Sequence, residues 1–142
     1  MSMISKQKPL VFRAKYVMAI TPKIYHIQTA KILLDHIQKS TYNDPWFVFY
    51  KEIGDITGRD YHTQVGNDVG DLSYLCHCNS MPMISTIVVN QETLKPGTGF
   101  YDLWRDLYIS DDKIDDVYIF IKELKAVFSY KEWYKLNEML GI

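Results

Sequence analysis

Apolar residues recur at helical spacing in most of the stretch from Ile24 to Leu75, and a β-branched run replaces that period after Pro82. Thr21-Pro22 is a helix start, since Thr caps and Pro is tolerated at the first helical position. Ile24, Ile27, Ala30, Ile32, Leu33, Leu34 and Ile37 then share a face, which predicts an amphipathic helix over 21–39. Residues 46–50 form an apolar entry to a second, short helix carrying Ile53 and Ile56, which Thr57-Gly58 ends in a left-handed turn. A third helix is expected over 61–78, with Val65, Val69, Leu72 and Leu75 buried. Its Gly66 and Gly70 lie four apart and weaken a helix, so they are expected to admit a closely packed neighbour.

Ile84, Ile87, Val88 and Val89 predict a strand, Pro96-Gly97-Thr98-Gly99 a turn, and Phe100-Tyr101 a return to the core. Ser110 with Asp111 and Asp112 marks another helix start, and Ile114, Val117, Ile121, Leu124 and Phe128 give its stripe. Ser129 with Glu132 repeats the capping pattern and predicts a last helix through Trp133, Leu136 and Leu140 to Gly141. Leu10, Phe12, Tyr16 and Met18 alternate loosely with Arg13 and Lys15, as in an extended arm. The expected fold is mainly α with a small β-wing (α+β): a winged helix-turn-helix-like core over 21–107, a basic arm over 1–20, and a helical extension over 110–142 packed on the core.

With 142 residues and 47% hydrophobic side chains, the chain has enough apolar material for one core. No apolar run reaches the roughly 20 residues that cross a bilayer, and the start lacks a signal-peptide apolar region, which predicts a cytoplasmic protein. Net charge is −1, but residues 1–40 hold seven Lys or Arg against Asp35 alone, so the N-terminal part is basic and the remainder acidic. Cys76 and Cys78 flank His77, too close for an unstrained disulfide on a helix. With His62 they have the residue types of a zinc site without the usual separation of roughly two to four residues.

Several short segments, taken in order, resemble the DNA-binding half of the alkylguanine-DNA alkyltransferases. They are Phe49-Tyr50-Lys51-Glu52-Ile53-Gly54, Thr63-Gln64-Val65-Gly66, Met81-Pro82-Met83-Ile84-Ser85, Ile87-Val88-Val89-Asn90 and Gly97-Thr98-Gly99-Phe100-Tyr101. The resemblance implies a winged-helix DNA-binding module. It places Met83 at the alkyl-accepting cysteine and Thr63 at the arginine that props open the base stack, which implies that alkyl transfer is lost and base extrusion impaired. Pro82, Ser85, Val88, Val89, Asn90, Thr93, Pro96, Gly97, Gly99 and Phe100 also resemble a signature of small bacterial and phage domains associated with nuclease or restriction genes.

Nothing in the spacing of His26, His36 or the acidic residues pairs a general acid with a base, and the familiar phosphate-loop, nucleophile-elbow and metalloprotease motifs are missing. The expectation is a protein without catalysis, cofactor or metal. Two partners fit. The first is double-stranded DNA, met by Tyr50, Lys51, Arg59, His62, Thr63, Gln64, Asn67 and Lys95, with the basic arm on phosphates. The second is a nucleic-acid-targeting defence protein, such as a CRISPR effector or restriction nuclease, inhibited by an acidic face that includes Asp111, Asp112, Asp115 and Asp116. Residues 60–94 contain no Lys or Arg, which weighs against the first. The C-terminal helices could also mediate a dimer.

Overall fold

The computed structural model describes residues 15–110 and 113–142. Six helices and one two-stranded sheet are found among them: α1 (Ile24–Gln38), β1 (Val48–Phe49), α2 (Tyr50–Thr57), α3 (Val65–Cys78), a 3-10 turn (Ile84–Ile87), β2 (Val88–Val89), α4 (Thr98–Leu107), α5 (Asp116–Ser129) and α6 (Tyr134–Leu140). The protein is thus mainly helical with a small sheet.

The first half follows the hydrophobic period closely. In α1 the buried face is Ala30, Leu33, Leu34 and Ile37, joined by His26, Thr29 and His36, while Ile24 is exposed. Lys23, not Thr21, precedes the first turn. Helix α2 ends where Gly58 takes φ 75, a left-handed conformation that costs L side chains about 1–2 kcal/mol. Gly54 has a different task, because a Cβ there would lie 2.7 Å from the Arg59 carbonyl oxygen, so only glycine lets the following loop cross the helix. Helix α3 buries Val65, Val69, Leu72 and Leu75 as its spacing requires. It starts four residues later than expected, because residues 61–64 form turns.

The predicted wing is corrected. Only Val88–Val89 of the β-branched run is strand, and it pairs in parallel with β1 in the register Val48↔Val88, Phe49↔Val89. Parallel neighbours need a long crossover, which α2 and α3 supply. Residues 84–87 close into a 3-10 turn and are fully buried, so β-branching here serves packing and not a hairpin. Gly97 precedes helix α4 instead of turning a wing, and α4 returns Phe100, Tyr101 and Trp104 to a second core with Met83 and Ile119.

The last two helices share the main core with α1 and α3 through Leu124, Val127, Trp133, Leu136, Met139 and Leu140. The stripe predicted for α5 is rotated: Val117 and Ile121 are exposed, whereas Ile119, Glu123, Leu124 and Val127 are buried. Its cap is Asp115, whose carboxylate accepts from the Val117 N–H at 3.1 Å, and not Ser110. The predicted break at residue 129 and the left-handed Gly141 after α6 are both present, but Glu132 bonds Lys135 and Tyr134 instead of closing a capping box. Asp111, Asp112 and most of the N-terminal arm lie outside the described residues. No helix among the described residues is long and apolar enough to cross a membrane.

Glu123 ties α5 to the second core. One carboxylate oxygen accepts from the Met83 N–H at 2.8 Å and the other from the Trp104 indole N–H at 3.1 Å, with the residue 3% exposed. The neighbouring Tyr108 phenol is pushed up to about 12, by burial first and by the Glu123 charge second.

Candidate functional site: a cleft at the helix starts

Helices α3 and α4 run side by side in the same direction. A Cβ on Gly70 would lie 3.9 Å from Leu103, and one to two turns further on the His77 and Tyr108 rings meet edge to face at 4.9 Å. Both helices therefore begin at the same end of the molecule. Tyr50, the first residue of α2, joins them there: its phenol oxygen accepts from the Gly97 N–H at 2.9 Å, and burial raises its pKa. Between these starts opens a cleft of about 890 Å³. Its size is within the range of small-molecule and cofactor sites.

The walls are polar and aromatic. Helix α3 and its leading turn contribute Tyr61, His62, Thr63, Asn67, Asp71 and Tyr74, α4 contributes Thr98, Gly99, Phe100 and Leu103, and the residue 90–92 loop closes one side. Asn90 and Thr93 hold that loop by accepting from the Glu92 and Lys95 N–H groups, the turn-forming role their residue types suggest. The cleft brings together Tyr50, Lys51, His62, Thr63 and Asn67 of the sequence-predicted residues.

Arg59, Gln64 and Lys95 are not among the lining residues. Arg59 donates to both oxygens of Asp68 at 2.9 Å and stacks its guanidinium 3.8 Å over the Tyr25 ring, so its charge is used internally. Gln64 accepts from the Asp60 N–H at 2.8 Å, and Lys95 is exposed on the loop. The expected packing role of Gly66 and Gly70 is also corrected. Nothing lies within 4 Å of a Cβ on Gly66, and Gly70 has only ordinary contact with Leu103. Both glycines leave the α3 wall of the cleft bare.

Met83, placed by the resemblance at the reactive cysteine, is buried in the second core and does not reach the cleft. Ser85 does. It is 3% exposed, its N–H donates to Ser73 Oγ at 2.9 Å, and the two hydroxyls bond at 2.6 Å. Cys76 is fully buried, with its thiol pushed up to about 12 by desolvation, so it stays a thiol at neutral pH.

One pairing was not legible in the sequence. His26 and Asp71, 45 positions apart, meet at 3.0 Å. His26 Nδ1 accepts from the Lys23 N–H, which leaves Nε2–H to donate to Asp71. The ligand atoms of His26, Asp68 and Asp71 fall within 4.8 Å of one another, a grouping that invites a metal reading. Arg59 already supplies the positive charge on Asp68, and both His26 nitrogens are occupied, so the donors are committed to an ion-pair network. No protein-family model, curated protein or solved structure matches the chain.

Proposed function

We propose that the protein is a non-catalytic DNA-binding module, of the kind that accompanies restriction, nuclease or phage-defence systems. The observation that carries this reading is the cleft at the helix starts. It gathers Tyr50, Lys51, His62, Thr63 and Asn67, residues from two helices and a turn, around one opening. The three helices α1, α2 and α3, with β1 between the first two and its partner β2 after the third, support a winged-helix-like ancestry, with α4 standing where a wing would be. Met83 supports the loss of chemistry, because the resemblance sets it at the alkyl-accepting cysteine and a thioether cannot become a thiolate nucleophile.

Binding of a short duplex, followed by fluorescence anisotropy across a salt series, tests the proposal. Affinity is expected to fall with a log–log slope of roughly −0.9 for each phosphate neutralised. Absence of binding at low salt sinks it and leaves the protein-directed inhibitor. That second reading has an observation of its own, since Arg59, the cation nearest α3, is neutralised by Asp68.

A further inference from the structure

A helix that packs on a core through one stripe keeps polar residues on its other side, and α5 does not. Nine of its fourteen residues are apolar or aromatic. Ile119, Leu124 and Val127 are buried and occupy the inward face, while Phe120 and Phe128 are partly buried and packed against the cores. Val117, Tyr118 and Ile121 remain on the outer face, each 41% to 54% exposed. At about 100° per residue these three fall within about 100° of one another, so they form one strip along the helix. Exposed apolar groups gathered in this way mark a contact surface, whereas single ones do not.

The charges beside the strip indicate which partner covers it. Lys122 and Lys125 are exposed on its C-terminal side and reach the rings of Trp104, Tyr118 and Tyr42, with no carboxylate at ion-pair distance among the described residues. Asp115 is exposed at the N-terminal end. One of its oxygens accepts from the Val117 N–H, and among the described residues no cation pairs with it, whereas Asp116 is already held by Arg105. The strip is thus acidic at one end and basic at the other. A second α5 laid antiparallel across it, with a twofold axis level with residue 120, sets Asp115 of each copy opposite Lys125 of the other, because both are about 7.5 Å along the helix from that level. The same register brings Tyr118 opposite Lys122, a cation–π partner, and places the two Ile121 side chains beside the axis. Asp115, Tyr118 and Lys122 lie toward one flank of the strip, and a twofold lays that flank against itself, so these matches occur together in one arrangement.

We propose that the outer face of α5 is a dimerisation surface, covered by α5 of a second copy of this chain in antiparallel, twofold-symmetric contact. The apolar strip supplies the affinity and the charge pairs fix the register, since exposed ion pairs contribute little on their own. The inference is independent of the DNA reading, because no α5 residue lines the cleft. A single helix pair buries a modest area, so the dimer is expected to dissociate on the order of 10 µM.

Sedimentation velocity of the full chain over a concentration series tests the proposal. The wild-type protein is expected to pass from the 16.7 kDa monomer to twice that mass as concentration rises. Ile121→Asp sets two carboxylates beside the axis and should leave only monomer. Lys125→Glu sets an acid opposite Asp115 on both sides and should weaken the dimer about tenfold. Both residues are exposed, so circular dichroism melts of the variants, read where the wild type is monomeric, should match the wild type. A further variant reads the register: Ile121→Cys in a Cys78→Ser background should link to itself on mild oxidation, whereas Ile24→Cys, on the exposed side of α1, should not. A wild-type chain that stays monomeric to about 500 µM overturns the proposal and leaves the strip to a different protein. A dimer that survives Ile121→Asp also overturns it, since the contact then lies elsewhere. A dimer that ignores Lys125→Glu, or that Ile121→Cys does not link, contradicts the antiparallel register and overturns it too.

Discussion

Glu123→Ala is expected to lower folding stability by about 3–5 kcal/mol. The substitution strands two buried donors, the Met83 N–H and the Trp104 indole N–H, and each unsatisfied donor costs about 1–3 kcal/mol. A side-chain void beside the second core adds to this. Since domains of this size have about 5–15 kcal/mol in total, the loss is a large share. Urea denaturation followed by tryptophan fluorescence measures it, with Trp104 reporting from the contact itself. Glu123→Gln keeps one acceptor oxygen and should fall between the two. A Glu123→Ala midpoint corresponding to less than about 1 kcal/mol of loss would mean that the carboxylate does not hold α5 to the second core.

Asp68→Ala carries the second large effect and has two parts of opposite sign. Asp68 is 2% exposed and Arg59 spans both of its oxygens. Breaking a buried pair costs about 3–5 kcal/mol, and because the Arg59 side chain is 26% exposed and can reach water, about 2–3 kcal/mol is expected here. The same change frees a guanidinium beside α3, which lacks any Lys or Arg of its own. Duplex affinity at low salt should therefore rise several-fold as stability falls, with a steeper salt dependence. Thermal melts and anisotropy on one preparation read both. A variant that is destabilised with no gain in duplex affinity would show that Arg59 is purely structural, and one with unchanged stability would contradict the assigned pair.

The contrast between the two halves of the chain shows what a single sequence makes legible. Val65, Val69, Leu72 and Leu75 announce α3 because one face meets the core and the other meets the cleft, so the helical period survives intact. Residues 84–89 do not separate in this way, since all six are buried and a fully buried run has no period to read. The Pro-Gly-x-Gly sequence looked like a wing turn, yet Phe100, Leu103, Trp104 and Leu107 recur at helical spacing immediately after it and were the available signal for α4. In α5 the apolar residues outnumber the positions that reach the core, so the stripe could be drawn through Val117 and Ile121 when Ile119 and Val127 carry the packing.

For the site, five residues were legible because they sit at or near helix starts, where side chains point outward. Arg59 lies off the cleft and on Asp68, a partner nine positions on that becomes a neighbour only once the loop after Gly58 folds over α2. Ser85 was not singled out, because it becomes a neighbour of Ser73 on α3 only once the chain folds. No local pattern encodes the alignment of α3 with α4, and the open end they share follows from that alignment.

The proposed contact with DNA is the cleft at the helix starts. Two-dimensional amide NMR during titration with a short duplex at low ionic strength tests it most directly. The expected result is a set of shifts at Tyr50, Lys51, His62, Thr63 and Asn67, spreading to Thr98 and Gly99, with the outer faces of α5 and α6 unmoved. Shifts confined to α5 and α6, or an unchanged spectrum at excess duplex, would contradict it.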